Sequence, residues 1–161
     1  MMESSEIQER TSQRYLDNLG LTWGYLRGKK ILDIGSGSSM FAKEAKKYGI
    51  EVISSDERRE LDRPRETSNV ISVAEHLPFK DESFDLVVSN NCVDWINLFG
   101  DASAVIKEAK RVLKPGGEFR FDSDRRLYRL TYRSLDPAIE FRQNRFTSHS
   151  PGFGYLVLKK D

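Results

Sequence analysis

The stretch ILDIGSGSSM (31–40) decides the reading of this chain. Its first four residues are apolar apart from Asp33, and they run directly into two glycines and three serines. A short apolar run that ends in a turn with few side chains reads as a buried strand passing into a helix around a ligand. Glycines at 35 and 37 permit a tight turn and let a ligand approach bare backbone. Open α/β sheets bind ligands in the crevice at the carboxyl ends of their strands. A second strand spans 51–55, and Asp56 closes it 21 residues after Gly35. One carboxylate there can accept from both hydroxyls of a ribose. The plain alternative is a glycine turn with a solvated aspartate after it. The order strand, turn, helix, strand, acid favours a nucleoside-containing ligand.

The same stretch narrows the nucleoside. A dinucleotide fingerprint needs a third glycine, which lets helix and strand pack closely. Here that position is Met40. Asp33, two residues ahead of Gly35, would repel phosphates but suits an ammonium group. The turn fits an amino-acid nucleoside better than a dinucleotide.

Outward from this unit the chain alternates between helical and strand-like segments. Residues 6–19 carry Ile7, Tyr15, Leu16 and Leu19 among charges and read as a helix stopped by Gly20. Residues 30–34 are the first strand, 38–48 a helix with Phe41, Ala42 and Ala45 on one face, and Gly49 its end. Residues 57–67 contain Pro64 and read as a loop with at most one helical turn. Residues 69–73 and 84–89 are further strands, the latter with Leu86, Val87 and Val88 in one run. Residues 101–113 form a helix that Pro115, Gly116 and Gly117 stop, and 119–121 is a fifth strand. Strands apolar on both faces, alternating with helices, predict an α/β fold with a parallel sheet covered on both sides.

Four motifs in order now resemble one family. LDIGSGSS (32–39) is similar to the first motif of class I S-adenosylmethionine-dependent methyltransferases, and VISSD (52–56) to their second-strand motif with its ribose acid. AEHLPFKDESFDLVVS (74–89) and EAKRVLKPGGEFRF (108–121) resemble the small-molecule-type subgroup. The resemblance implies a Rossmann-like, mostly parallel, twisted sheet of seven strands, the last antiparallel, with helices on both faces. It implies one methyltransferase domain over 1–161: a helical segment at 1–28, a cofactor-binding core at 29–123, and a short helix with the final strands at 124–161.

Roles follow by position. Gly35, Ser36 and Gly37 would lie under the methionine part of S-adenosylmethionine, with Asp33 near its amino group. Asp56 would take the ribose hydroxyls. Ala74 and Glu75 would border the adenine. Ser89 and Asn90 would meet the amino-acid end through a backbone carbonyl, and Tyr15 would close over the carboxylate. The chain departs from the family's pattern in three places. Ser39 replaces a third glycine, at a helix start where serine is at home as a cap. Val73 stands where an acid often holds the adenine amino group. Glu57 stands where an apolar residue often covers the base.

Other residues take plainer readings. Cys92 follows Asn90 and Asn91 rather than a proline and reads as a buried thiol, not a nucleophile. His76 is the one candidate general base. His76 and His149 lack ligand partners at metal spacing, so no metal is expected. Trp95 reads as core. The chain is 38% hydrophobic and 32% charged with net charge +1, which singles out no polyanionic partner. One cysteine and a polar start (MMESSEIQER) suit a cytoplasmic location, and no apolar run approaches the ~20 residues of a membrane span. Residues 120–161 hold nine Lys or Arg against five Asp or Glu. There Arg125, Arg126, Arg129 and Arg133 align at helical spacing, as a solvated face or, less favoured, a nucleic-acid patch. A small-molecule methyl acceptor is the leading expectation. A non-catalytic nucleoside-binding scaffold, or an enzyme acting on RNA or protein, is the alternative.

Overall fold

The computed structural model describes residues 4–57, 70–144 and 152–161. These form seven strands in one sheet: β1 (Ile31–Ile34), β2 (Val52–Asp56), β3 (Val70–Ile71), β4 (Phe84–Ser89), β5 (Leu113–Asp124), β6 (Ile139–Gln143) and β7 (Phe153–Lys159), in the order β3-β2-β1-β4-β5-β7-β6. The first five run parallel, and β7 pairs antiparallel with both β5 and β6. The expected sheet is therefore present, with its antiparallel end.

The period-2 alternation of each strand divides the core. Ile31, Leu86 and Val88 face α1 (Ser4–Leu19), α2 (Trp23–Leu26) and α3 (Met40–Lys47), where Leu16, Leu26 and Phe41 meet them. Leu32, Ile34, Val87, Phe119 and Phe121 face the other side, packed with Val105, Ala109 and Val112 of α5 (Ala102–Val112). Asp33 shares the Ile31 face and so points toward α1. The end of α1 is fastened to the sheet by the buried Arg120, which donates to the carbonyls of Leu19 (3.3 Å) and Gly20 (2.8 Å). Asn144 adds a bond to the Asp17 carbonyl at 2.5 Å.

Several expectations shift. The helix at 101–113 starts where expected, because the Asp101 carboxylate caps Ser103 and Ala104. It ends at Val112, and Leu113 already pairs with Phe84 as the first residue of β5. The Pro115-Gly116-Gly117 turn is thus a bulge inside that strand, with the register moving between Phe84 and Leu86. A Cβ at Gly117 would lie 2.9 Å from the Lys114 carbonyl. Strand three is shorter than expected, and Asn69 lies outside the described residues, as does the loop from 58 on. Ser39 precedes α3 in the left-handed region (φ 57°) with no side-chain capping bond, so it is not the serine cap expected there. A helix not expected from the sequence, α4 (Val93–Phe99), follows β4. After β5, α6 (Arg125–Leu127), a π-helical turn (Tyr128–Tyr132) and α7 (Arg133–Leu135) form one helical run. No described helix is long and apolar enough to cross a membrane.

Candidate functional site

The glycine turn folds against the end of β2. The Ser55 carbonyl accepts from Gly35 N (2.8 Å) and Ser36 N (3.1 Å), and the Asp56 carboxylate accepts from Gly37 N (2.8 Å). Gly35 has φ 69°, and a Cβ there would lie 2.4 Å from Cys92 Sγ. Glycine is required at 35 both by backbone conformation and by the thiol packed on it. At Gly37 (φ 55°) a Cβ would meet nothing within 4 Å, so that side of the turn is open.

Asp33 lies behind this turn, fully buried. The Tyr15 hydroxyl on α1 donates to its Oδ1, while Oδ2 is buried with no hydrogen-bond partner. Tyr15 is held flat against Phe41, with ring centroids 4.4 Å apart and planes 1° from parallel. Burial pushes the Asp33 carboxyl up to about 7; the Tyr15 bond opposes this and the nearby charge of Asp56 adds to it. The Tyr15 hydroxyl is pushed well above its ordinary range, by burial first and then by Asp33. Asp122, at the carboxyl end of β5, is pushed up to about 6, mainly by burial. Its Oδ1 accepts from Asn91 N at 2.7 Å.

A cavity of about 320 Å³ opens at the carboxyl ends of the strands. Of the expected site residues it brings together Gly35, Asp56, Ala74 and Glu75. Asp33, Tyr15, Ser36 and Gly37 do not line it. Ser89 is buried, and its hydroxyl donates to the Ile34 carbonyl (2.9 Å), tying β4 to β1. Asn90 accepts from Asn18 of α1 at 3.1 Å. His76 is exposed and outside the cavity. Cys92 lines it, but burial pushes its thiol up to about 11, with Asp56, Asp33 and Asp122 adding, which leaves it a poor nucleophile at neutral pH.

Trp95 is not core. It is 60% exposed and lines the cavity from α4 beside Ile96. Val93 and Ile96 take the inward positions of that short helix, which turns Trp95 outward. Ile96 and Asn91 are further lining residues that sequence reasoning missed. Their signal was the spacing of Val93, Ile96 and Phe99 directly after a strand. Arg125, Arg126, Arg129 and Arg133 are all exposed, and Arg125 also donates to Gln143 and lies over the Phe141 ring. No group of three or more His, Cys, Asp or Glu that could hold a metal ion occurs among the described residues.

The donor set fits S-adenosylmethionine. A ribose diol needs an acceptor such as Asp56. An ammonium needs a negative field, and Asp33 offers a buried oxygen without a partner. A purine needs flat apolar walls, which Ala74, Ile96 and Trp95 offer.

The chain belongs to the methyltransferase domain family, whose model matches residues 32–121. It is 33% identical over 125 residues to malonyl-[acyl-carrier protein] O-methyltransferase of Geobacter sulfurreducens, covering 71% of this chain and 45% of that protein. It is 32% identical over 146 residues to arsenite methyltransferase of Aquipseudomonas alcaligenes, covering 76% and 41%. Among solved structures, a putative sarcosine dimethylglycine methyltransferase from Galdieria sulphuraria superposes with TM-score 0.61 at 22% identity, covering 88% and 65%, which shows the shared fold. The chain spans less than half the length of these two curated relatives.

Proposed function

We propose that this chain binds S-adenosylmethionine and transfers its methyl group to a small-molecule acceptor. The observation that carries the reading is the buried Asp33 with one oxygen unpartnered, set behind a glycine turn that Asp56 pins from the next strand. Two carboxylates so placed suit a ligand with a cationic amino-acid end and a ribose. When bound, S-adenosylmethionine supplies a methyl group already activated on sulfur. The residues of this chain then bind and orient: Asp56 holds the ribose, Ala74 and Glu75 border the base beneath Trp95 and Ile96, and Gly35, Ser36 and Gly37 support the methionine part. Asp33, steadied by Tyr15, acts on the ammonium group from behind the turn, through water, and Ser89 and Asn90 contribute backbone carbonyls there. Positioning can supply much of the rate in such a transfer, so no residue is assigned as general base.

A small-molecule acceptor is supported by the names of the relatives, which include arsenite and sarcosine/dimethylglycine methyltransferases. A methyl-transfer screen with isotopically labelled donor, run across small amines, carboxylic acids, thiols, RNA and protein, tests the reading. Labelled product in a small-molecule pool is expected. Label confined to RNA or protein would replace the acceptor class, and no S-adenosylhomocysteine binding by calorimetry would overturn the whole reading.

A further inference from the structure

One carboxylate near the cavity touches no part of it. Asp94 sits in the first turn of α4, next to Trp95, and points away from the lining residues. Its two oxygens each lie 3.0 Å from the Ser123 hydroxyl on β5, and Oδ1 also accepts from the Tyr132 hydroxyl at 2.5 Å. Tyr132 is fully buried in the π-helical turn and packs edge-on against Phe121 at 5.1 Å. The neighbouring residues of β5 serve the same region. Asp122 accepts from Asn91 N (2.7 Å), fixing the loop before α4. Asp124 caps Leu127 N (2.8 Å), starting the helical run that bears Tyr132. Three consecutive side chains, Asp-Ser-Asp at 122–124, therefore secure both the cavity wall and the segment that closes back onto it.

The need for such a fastening follows from α4 itself. At seven residues it is too short to be stable alone, so its position depends on tertiary contacts. On its outer face Trp95 and Leu98 are 60% and 66% exposed. Single-turn π segments interrupt α-helices often at functional places, because the extra residue re-aims a side chain. Here the buried residue of that turn is Tyr132.

We propose that Tyr132 is a positioning residue: through Asp94 its hydroxyl sets the placement of α4, and with it the Trp95–Ile96 wall of the cofactor cavity. The affinity consequence rests on the methyltransferase reading; the placement of α4 does not. A charge-assisted hydrogen bond from a buried hydroxyl is among the stronger single fastenings available to a short helix.

The test compares Tyr132→Phe with Tyr128→Phe. Both tyrosines lie in the same turn, but the Tyr128 hydroxyl donates to the Ile139 carbonyl (3.3 Å), away from α4. Tyr132→Phe keeps the ring against Phe121 and loses only the hydroxyl. Two readouts are taken: amide hydrogen exchange of residues 93–100 in the ligand-free protein, and S-adenosylhomocysteine affinity by calorimetry. Tyr132→Phe is expected to speed exchange in 93–100 and to weaken binding about 5- to 20-fold. Tyr128→Phe should change neither beyond twofold. Asp94→Asn, which retains an acceptor oxygen, should fall between wild type and Tyr132→Phe. Unchanged exchange in 93–100 for Tyr132→Phe, or equal changes in both phenylalanine variants, would overturn the proposal. If the wild type binds no S-adenosylhomocysteine, the functional reading fails while the exchange comparison still decides the role of Tyr132.

Discussion

Asp33 sits in an environment its chemistry does not prefer. A carboxyl that titrates near 4 in the unfolded chain is pushed up to about 7 in the fold, chiefly because it is buried. The folded state therefore holds a proton that the unfolded state releases between those values. Its contribution to stability is fully present below about pH 4 and is lost as pH rises through about 7. Asp122, pushed up to about 6, adds to the lower part of the same window. Asp33→Asn should remove the upper part of that slope and leave the ligand-free protein more stable at pH 8, by on the order of 2–4 kcal/mol. Urea unfolding at pH 5 and pH 8 reads this directly, and equal pH slopes in wild type and variant would show Asp33 ionised throughout. Asp56 makes the opposite case. It lies at a cleft-facing strand end, so Asp56→Ala should leave the fold intact. It should cost about 2–4 kcal/mol of cofactor binding, roughly 30- to 1000-fold, since a charged acceptor for two hydroxyls is lost. The variant also frees Gly37 N, which loosens the turn in the same direction. Glu57→Ala is the control; calorimetry that finds it the more damaging change would place the ribose on the wrong carboxylate.

At the scale of elements, what the sequence revealed depended on how local the signal was. β1, the glycine turn, β2 and β4 are legible because apolar runs bounded by glycine or acid repeat along the chain, and these bring Gly35 and Asp56 to one cavity. From sequence β5 reads too short because Pro115-Gly116-Gly117 looks like a stop, whereas only pairing with Phe84 shows Leu113 to be in the sheet. α4 is not legible because seven residues give barely two turns of periodicity, and apolar character alone puts Trp95 in the core. Whether an apolar residue faces core or cleft depends on tertiary packing, which a single chain does not display. Placed on the rim, Trp95 permits a clear test. Because the side chain is 60% exposed, Trp95→Ala should cost little stability, within about 1 kcal/mol. Cofactor affinity should fall about tenfold, as an aromatic wall is removed. A loss of stability without loss of affinity would return the residue to a packing role. The arginines of the C-terminal helical run are also exposed, and none of the four lines the cavity. If the acceptor is a small molecule, as proposed, Arg126→Ala/Arg129→Ala/Arg133→Ala should leave methyl transfer unchanged. RNA binding that falls steeply with salt in the wild type and is absent from the triple variant would instead mark these side chains as a phosphate-contacting surface.

For the whole molecule, the sheet separates two apolar cores and leaves its carboxyl edge to polar groups that serve one another. Asp33 is held from α1, Gly37 from β2, Asn91 and Asp94 from β5. The cavity itself is walled by the ends of neighbouring strands and by α4, and a ligand seated there would touch several of them at once. Binding only to the folded state stabilises it by mass action, by about 2.7 kcal/mol at a hundredfold excess over Kd. In a protein of this size each kcal/mol moves the midpoint by roughly 2–4 °C, so S-adenosylhomocysteine at that excess should raise Tm by about 5–10 °C. NAD should not raise it, because Met40 stands where a dinucleotide site needs glycine and Asp33 disfavours phosphate nearby. Asp56→Ala should lose most of the shift at the same ligand concentration while keeping the ligand-free Tm near that of wild type. Differential scanning fluorimetry across both ligands and both proteins separates the outcomes. A shift with NAD that matches or exceeds that with S-adenosylhomocysteine would sink the assignment of this cavity to an amino-acid nucleoside.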